Sequence, residues 1–465
     1  MLVQIQIPKK FSYLDINEDW EKALNSIYEK KRNVIITGEA GSGKSEFIHL
    51  ITAIFKENKT QVILIAPTGI AAVNIKGATM HSTFGLGIHP KRPEDFGLYP
   101  NVRGVLERVE VIIMDEVSMT TGSHFDAMNL LCQKAKGNTK LFGGITLILS
   151  GDYYQLTPII GSSKEEQAFY TNRYGANPFF FNSECYKKHS SEFSKVKFSK
   201  IYRQEDSEFK DILNRIRVGD QTDKDLTYIN GNRQPYRRFK AKFNNSICLA
   251  PFNNLVDEIN QMELSKIEKP EIILSARIIG DINHKHIPAP SRLCLREGCK
   301  IMLLTNDPSG RYQNGTLGIF DKMLNNQEIQ VIIDENKVVV ARYNFEEYRY
   351  TLIKGSITKQ KKGVFSQYPL KIAYALTPWK AQGLTFNDGY VDFASVSVFA
   401  EHLVYVALSR FRDFDKVGLK RSIHHDDIKI NPYVLEFMKT FDDGEAEIEN
   451  IDIFDESNSF DEIPF

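Results

Sequence analysis

Gly38, Glu39, Ala40, Gly41, Ser42, Gly43, Lys44 and Ser45 form a Gly-x4-Gly-Lys-Ser loop directly after the apolar run Val34–Thr37. Glycines in such a loop let successive backbone N–H groups turn inward onto phosphate oxygens. Lys44 then supplies a point charge to the β- and γ-phosphates, and the Ser45 hydroxyl a ligand for Mg²⁺. The following segment, Glu46–Phe55, reads as a helix whose N-terminus favours an anion. A nucleotide site is implied, but not yet a reaction, because kinases and GTPases share the loop. A second apolar run, Val111–Met114, ends in Asp115 and Glu116. There Asp115 can hold Mg²⁺ and Glu116 can polarise an attacking water; by themselves adjacent acids also suit a surface turn. A third run, Thr146–Ser150, ends in Gly151-Asp-Tyr-Tyr-Gln155. Gln155 can donate to the γ-phosphate or its water, or belong to a polar turn.

Two arginines follow apolar or aromatic stretches, Arg203 in Ile201-Tyr-Arg-Gln204 and Arg410 in Tyr405-Val-Ala-Leu-Ser-Arg410. An arginine reaching the γ-phosphate from a second lobe accelerates hydrolysis by ~10³–10⁵; judged by residue type alone, a surface ion pair suits each of them better. Candidates for holding a nucleic-acid strand are Pro67 and Thr68, then His81, Ser82 and Phe84, then Trp379 and Lys380. Hydroxyls and amides can hold phosphates, while His, Phe and Trp can stack on bases at ~1–3 kcal/mol each, without sequence preference. Phe84 and Trp379 suit a hydrophobic core as well.

These residues need elements to bring them together. Val34–Thr37, Val62–Ala66, Val111–Met114 and Thr146–Ser150 read as buried parallel strands, each followed at once by small or polar residues. Ligands of open α/β sheets bind beyond the carboxyl ends of the strands, so the four polar clusters converge. The polar stretch 85–104 reads as a small insertion into this first lobe, residues 1–190. A second α/β region begins near Glu192, occupies 191–266 and 366–440, and includes the runs Ser246–Ala250, Ile372–Thr377 and Val404–Leu408. Short β-like runs with turn signals at 267–365 read as an inserted β domain, and 441–465 as a disordered acidic tail.

The 465 residues carry 59 basic and 59 acidic groups, but ten of the carboxylates and no Lys or Arg lie between Asp442 and Phe465. The remainder therefore has 49 acids against 59 bases, a net of +10 that suits a polyanionic partner. The five cysteines are scattered, in the manner of free thiols in a reducing compartment. No apolar run is long enough to span a bilayer and no secretory leader is evident, so no membrane role is expected.

Taken in order, GEAGSGKS, APTGIAA, TMHSTFG, IIMDEVSM, GDYYQL, YRQ and YVALSR resemble the motifs of superfamily-one helicases of the RecD-like branch. The stretch Tyr202–Gly219, with Leu249–Asn254, Gly298–Leu304 and Asn314–Gly318, is similar to the Pif-type DNA helicases. The resemblance covers about Ile16 to Phe411. It implies two tandem RecA-like parallel-sheet lobes clamping ATP and Mg²⁺, with Arg203 and Arg410 as fingers and Gln382 and Gly383 also at the nucleotide. It further implies 5′→3′ movement on single-stranded DNA, unwinding of forked duplex, a wedge or pin at 85–104, and a barrel at 267–365 resembling a Src-homology-three domain. A monomer is expected. Where the family carries an adenine-reading Gln, this chain has Trp20, which either stacks on the base or packs. Where the family has His-Lys-Ser-Gln-Gly, this chain has Trp379-Lys-Ala-Gln-Gly383.

The tail ends Ser459-Phe-Asp-Glu-Ile-Pro-Phe465 and resembles the tip by which bacterial single-stranded-DNA-binding proteins recruit enzymes. Ile463, Pro464 and Phe465 would seat a ring in an apolar pocket and a terminal carboxylate on a basic residue. A solvating tail, or one competing with DNA for the basic body, are the alternatives. The tail points to a bacterial or phage-encoded cytoplasmic protein associated with the nucleoid. Three rivals stand beside a helicase: a translocase that remodels protein–DNA complexes; a phosphotransferase or GTPase, for which no NKxD guanine-reading motif is present; and a non-catalytic binding module, against which Lys44, Asp115, Glu116, Gln155, Arg203 and Arg410 are all present.

Overall fold

The computed structural model describes residues 8–442 apart from 9–10, 12–15, 29–31, 40, 88–90, 156, 159, 161–162, 201–206, 244–245, 283–286 and 394–399. Its first lobe is built on a six-stranded parallel sheet in the order Ala78–Thr79, Val62–Ala66, Val111–Met114, Thr146–Gly151, Asn33–Gly38, Phe193–Phe198. The four runs expected as strands are strands, and all are buried because helices cover both faces. The helix after the phosphate loop spans Lys44–Glu57, and buries Phe47, Ile48, Leu50, Ile51 and Ile54 against the sheet.

A smaller parallel sheet forms the second lobe, ordered Ala375–Leu376, Ile247–Leu249, Gly389–Val391, Val417–Leu419. The apolar run Val404–Leu408 lies in a helix, Leu403–Leu408, since an unbroken apolar stretch suits a buried helix as well as a strand. Inserted between the strands Ile247–Leu249 and Ala375–Leu376 of this sheet stands an antiparallel domain. Its five-stranded sheet runs Asn336–Ala341, Glu328–Ile333, Leu317–Met323, Lys300–Leu303, Leu370–Ile372, over a core of Leu295, Ile301, Phe320, Val331 and Tyr368. From it projects a long hairpin, Tyr343–Ile353 with Ser356–Gln367.

Three boundaries need correcting. Phe193–Phe198 is the edge strand of the first sheet, not the start of the second lobe: it pairs in parallel with Asn33–Gly38 along its whole length and buries Phe193, Val196 and Phe198. The inserted domain reaches Ile372, because Leu370–Ile372 closes the sheet beside Lys300–Leu303. The stretch 85–104 holds a short turn of helix at Pro93–Asp95 and the start of the helix Pro100–Arg108. The final helix, Pro432–Asp442, returns to the first lobe, where Phe437 stacks on Phe181 at 4.1 Å and meets Tyr153 edge-on at 5.0 Å. All five cysteines are free thiols.

Candidate functional site

The phosphate loop closes tightly on itself. Gly43 has φ +87°, the left-handed region, and hands the chain to the helix Lys44–Glu57. A Cβ at Gly38 would fall 2.5 Å from Ser42 Oγ and 2.8 Å from the Phe198 carbonyl, so only glycine leaves the cradle open. Lys44 Nζ donates to the carbonyls of Gly38 at 2.6 Å and Glu39 at 3.0 Å, which holds the ammonium across the loop. The Ser42 hydroxyl is buried without a hydrogen-bond partner, a donor ready for a phosphate oxygen. Ser45 is exposed at the start of the helix. Ala40 lies outside the described residues.

Beside the loop, Val111–Met114 delivers Asp115, only 7% exposed, and Glu116. Burial pushes the Asp115 carboxyl up, against the pull of the Ser150 hydroxyl and Lys44. Glu116 is raised to about 7 by burial and then by the charge of Asp115, with Lys44 and Arg410 opposing. Its backbone sits at φ 53°, ψ 38°, a left-handed conformation that costs a non-glycine residue ~1 kcal/mol or more and recurs at functional sites. A carboxylate poised near neutral pH suits a general base. Among the described residues no group of three or more His, Cys, Asp or Glu could hold a metal. One buried carboxylate and one hydroxyl fit Mg²⁺ instead, since that ion keeps waters and shares phosphate oxygens.

The opposite wall comes from the second lobe. Gln155 Nε2 donates to Asp152 at 2.6 Å, and Gln382 Nε2 donates across the gap to Gln155 Oε1 at 2.7 Å. Arg410 is fully buried at the end of the helix Leu403–Leu408, its guanidinium held by the carbonyl of Val406 at 3.0 Å and the hydroxyl of Ser409 at 2.9 Å. It lies near enough to Glu116 to stabilise the charged form of that carboxyl. Gly383 is exposed beside Gln382. Arg203 lies outside the described residues, as do Ile463, Pro464 and Phe465.

Two residues with no assigned role also enter the cleft. Asp152 is 1% exposed, and Arg217 reaches it from the helix Ser207–Val218. Sequence periodicity could have flagged Arg217: Phe209, Leu213 and Ile216 define the buried face of that helix, and position 217 falls one turn beyond Leu213 on the same face.

The nucleic-acid candidates divide. Pro67 is buried after the strand Val62–Ala66, and the Thr68 hydroxyl caps the next helix by accepting from Ala71 N at 3.3 Å. His81 and Ser82 are half-buried, with the His81 ring edge-on to His124 at 5.2 Å. Phe84 is a correction: it is fully buried in the main core and offers no ring face to a base. Trp379 is half-buried against the same core, and Lys380 is exposed with its ammonium on Asn253 at 3.0 Å. Trp20 packs. It is 4% exposed between Phe47 and Phe198, beneath Gly43.

The hairpin of the inserted domain lies on the first lobe. Ala78–Thr79 is too short to cover the edge of Val62–Ala66, and the Tyr350 hydroxyl fills in: it accepts from Leu64 N at 2.9 Å and donates to Leu64 O at 3.1 Å. Ile357 N donates to Gln61 Oε1 at 3.0 Å, and Leu352 approaches within 3.7 Å of where a Cβ on Gly104 would stand. A cavity beneath the hairpin is lined by Gly69, Thr79, Tyr348 and Lys359 among others.

Residues 15–227 match the family model of the PIF1-like helicases. The chain is 29% identical to the ATP-dependent DNA helicase Pif1 of Bdellovibrio bacteriovorus, over 92% of this chain and 93% of that one. Unliganded Pif1 from Bacteroides sp superposes with a TM-score of 0.83 at 30% identity, covering 93% of this chain and 98% of that one. Its complex with ADP-AlF4 also gives 0.83, at 30% identity over 92% and 97%. The single-stranded-DNA complex of Bacteroides Pif1 gives 0.64, at 30% identity over 92% and 97%.

Proposed function

The chain belongs to the PIF1-like helicase family, and we infer that it is an ATP-dependent DNA helicase whose two lobes close on ATP. The observation that carries this is the Gln382–Gln155 hydrogen bond, which joins the second lobe to the glutamine at the end of the strand Thr146–Gly151. Hydrolysis in such a cleft depends on closure, and closure can be coupled to movement along a strand.

In the proposed chemistry Lys44 and the loop amides hold the β- and γ-phosphates. Glu116 takes the proton of the attacking water, Gln155 orients that water against the γ-phosphate, and Arg410 and Arg203 offset the charge that develops on it. Ser45 and Asp115 would hold Mg²⁺, which when bound neutralises phosphate charge. The DNA strand is proposed to run over Thr68, His81, Ser82, Trp379 and Lys380, moving 5′→3′, with unwinding at forks by a monomer. The acidic tail is proposed to dock through Ile463, Pro464 and Phe465 on receptors of the single-stranded-DNA-binding-protein tip, in a bacterial or phage setting.

Unwinding of duplexes carrying either a 5′ or a 3′ overhang tests the polarity: activity only from the 3′ overhang overturns it. A chain whose ATPase responds to single-stranded DNA, but which separates no forked duplex, is a remodelling translocase instead. Lys44→Ala should abolish hydrolysis and leave DNA binding. Deleting Phe465 should weaken binding to a tip receptor; unchanged affinity removes the docking role.

A further inference from the structure

One buried cation spans the cleft without a part in the chemistry above. Arg217 stands on the last turn of the helix Ser207–Val218, which belongs to the second lobe: Phe209 stacks on Phe414 at 4.9 Å. Its guanidinium nevertheless reaches the first lobe. Nη1 donates to Glu39 in the phosphate loop at 2.8 Å, and Nη2 to Asp152 Oδ1 at 3.3 Å. Tyr154 of the first lobe and Tyr405 of the second flank the guanidinium, with centroids 4.4 Å and 5.8 Å from its carbon. The group is 7% exposed, and its Nε is buried with no partner.

Asp152 is the pivot of this arrangement. One carboxylate oxygen accepts from Arg217, and the other accepts from Gln155 Nε2 at 2.6 Å. Gln155 in turn accepts from Gln382 at 2.7 Å. The amide proposed to act at the γ-phosphate is therefore held at both ends: directly by Gln382 of the second lobe, and by Asp152, which Arg217 of the second lobe contacts. We propose that Arg217 is a positioning residue: through Asp152 it sets the orientation of Gln155, so the glutamine is aligned only when the lobes are closed. This rests on the ATP-cleft assignment given above.

The electrostatics agree. Burial pushes the Asp152 carboxyl up, yet the charges of Arg217 and Lys44 and the Gln155 hydrogen bond hold it below its ordinary range. Lys44 is engaged on loop carbonyls, so Arg217 is the cation in contact with Asp152. Removing it leaves a buried anion beside the glutamine, and a buried charge stripped of its partner reorganises its surroundings. A competing role is simple neutralisation of Glu39 next to incoming phosphates. The two differ in which carboxylate matters.

Steady-state ATP hydrolysis by the full chain, with saturating single-stranded DNA, separates them. Arg217→Gln should lower kcat by roughly 100-fold, the effect of a misplaced group near the chemistry, with KM for ATP changed less than about threefold. Arg217→Lys, which can reach one carboxylate, should fall between. Adding Asp152→Asn to Arg217→Gln should recover about tenfold in kcat, because it removes the stranded charge and keeps an oxygen for Gln155. Adding Glu39→Gln should recover nothing. A raised KM at unchanged kcat, or rescue by Glu39→Gln instead, would make Arg217 a neutraliser of the loop and overturn the proposal. So would wild-type kinetics in Arg217→Gln. Hydrolysis by the unaltered chain, lost in Lys44→Ala, tests the cleft assignment separately.

Discussion

Tyr350→Phe should tighten binding to single-stranded DNA. The Tyr350 hydroxyl makes two hydrogen bonds to the exposed edge of Val62–Ala66, one accepted from Leu64 N and one donated to Leu64 O. It thereby pins the hairpin over the sheet edge that leads into Thr68, one of the residues of the proposed track. Each hydrogen bond contributes ~0.5–1.5 kcal/mol net, so losing both weakens docking by about 1–2 kcal/mol once hydration of the freed groups is counted. That corresponds to a shift of roughly 5- to 30-fold in the docked-to-undocked ratio. If the docked state predominates and excludes the strand, the apparent Kd falls by the same factor. Fluorescence anisotropy with a labelled oligothymidylate measures it, with the melting temperature as a check on folding. A folded Tyr350→Phe protein whose Kd is unchanged or raised would refute the reasoning, because hairpin docking and DNA binding would then be compatible.

Glu116→Gln should cut kcat by ~10²–10⁴, the usual contribution of a positioned general base, while a fluorescent ATP analogue still binds with near-normal affinity. Trp20→Ala should destabilise the first lobe by ~3–5 kcal/mol in denaturant unfolding, since it empties a large buried site. Trp20→Phe should leave the ratio of ATP to GTP hydrolysis unaltered, and a changed ratio would return the ring to the base. His124 is lowered by burial from 6.5 to about 4, with the Gly87 carbonyl opposing. Its stabilising contribution is therefore complete above pH 6.5 and is lost as pH falls towards 4, about 3 kcal/mol in all. His124→Gln should flatten the fall in melting temperature over that window; an unchanged slope would exclude this histidine as a source of acid lability.

The nucleotide-binding half of the cleft was legible in the residues because it is local. Gly38–Ser45 is one contiguous loop after a strand, the form a phosphate cradle of backbone amides would take, and Asp115, Glu116 and Gln155 each follow a strand whose apolar run announces it. Contiguous chemistry leaves a contiguous signal. Single aromatic residues carried no such signal: Phe84 and Trp20 both proved to be core, because a ring suits an interior as well as a base. Nor could the domain limits be read closely, since Phe193–Phe198 and Leu370–Ile372 are edge strands defined by distant partners. The same holds for the wall facing the nucleotide. Arg217 meets Glu39 and Asp152 across 178 and 65 residues, and Tyr350 meets Leu64 across 286. Such pairings depend on how two lobes and an inserted domain come to rest against one another. That balance of burial and desolvation exists only in the folded chain.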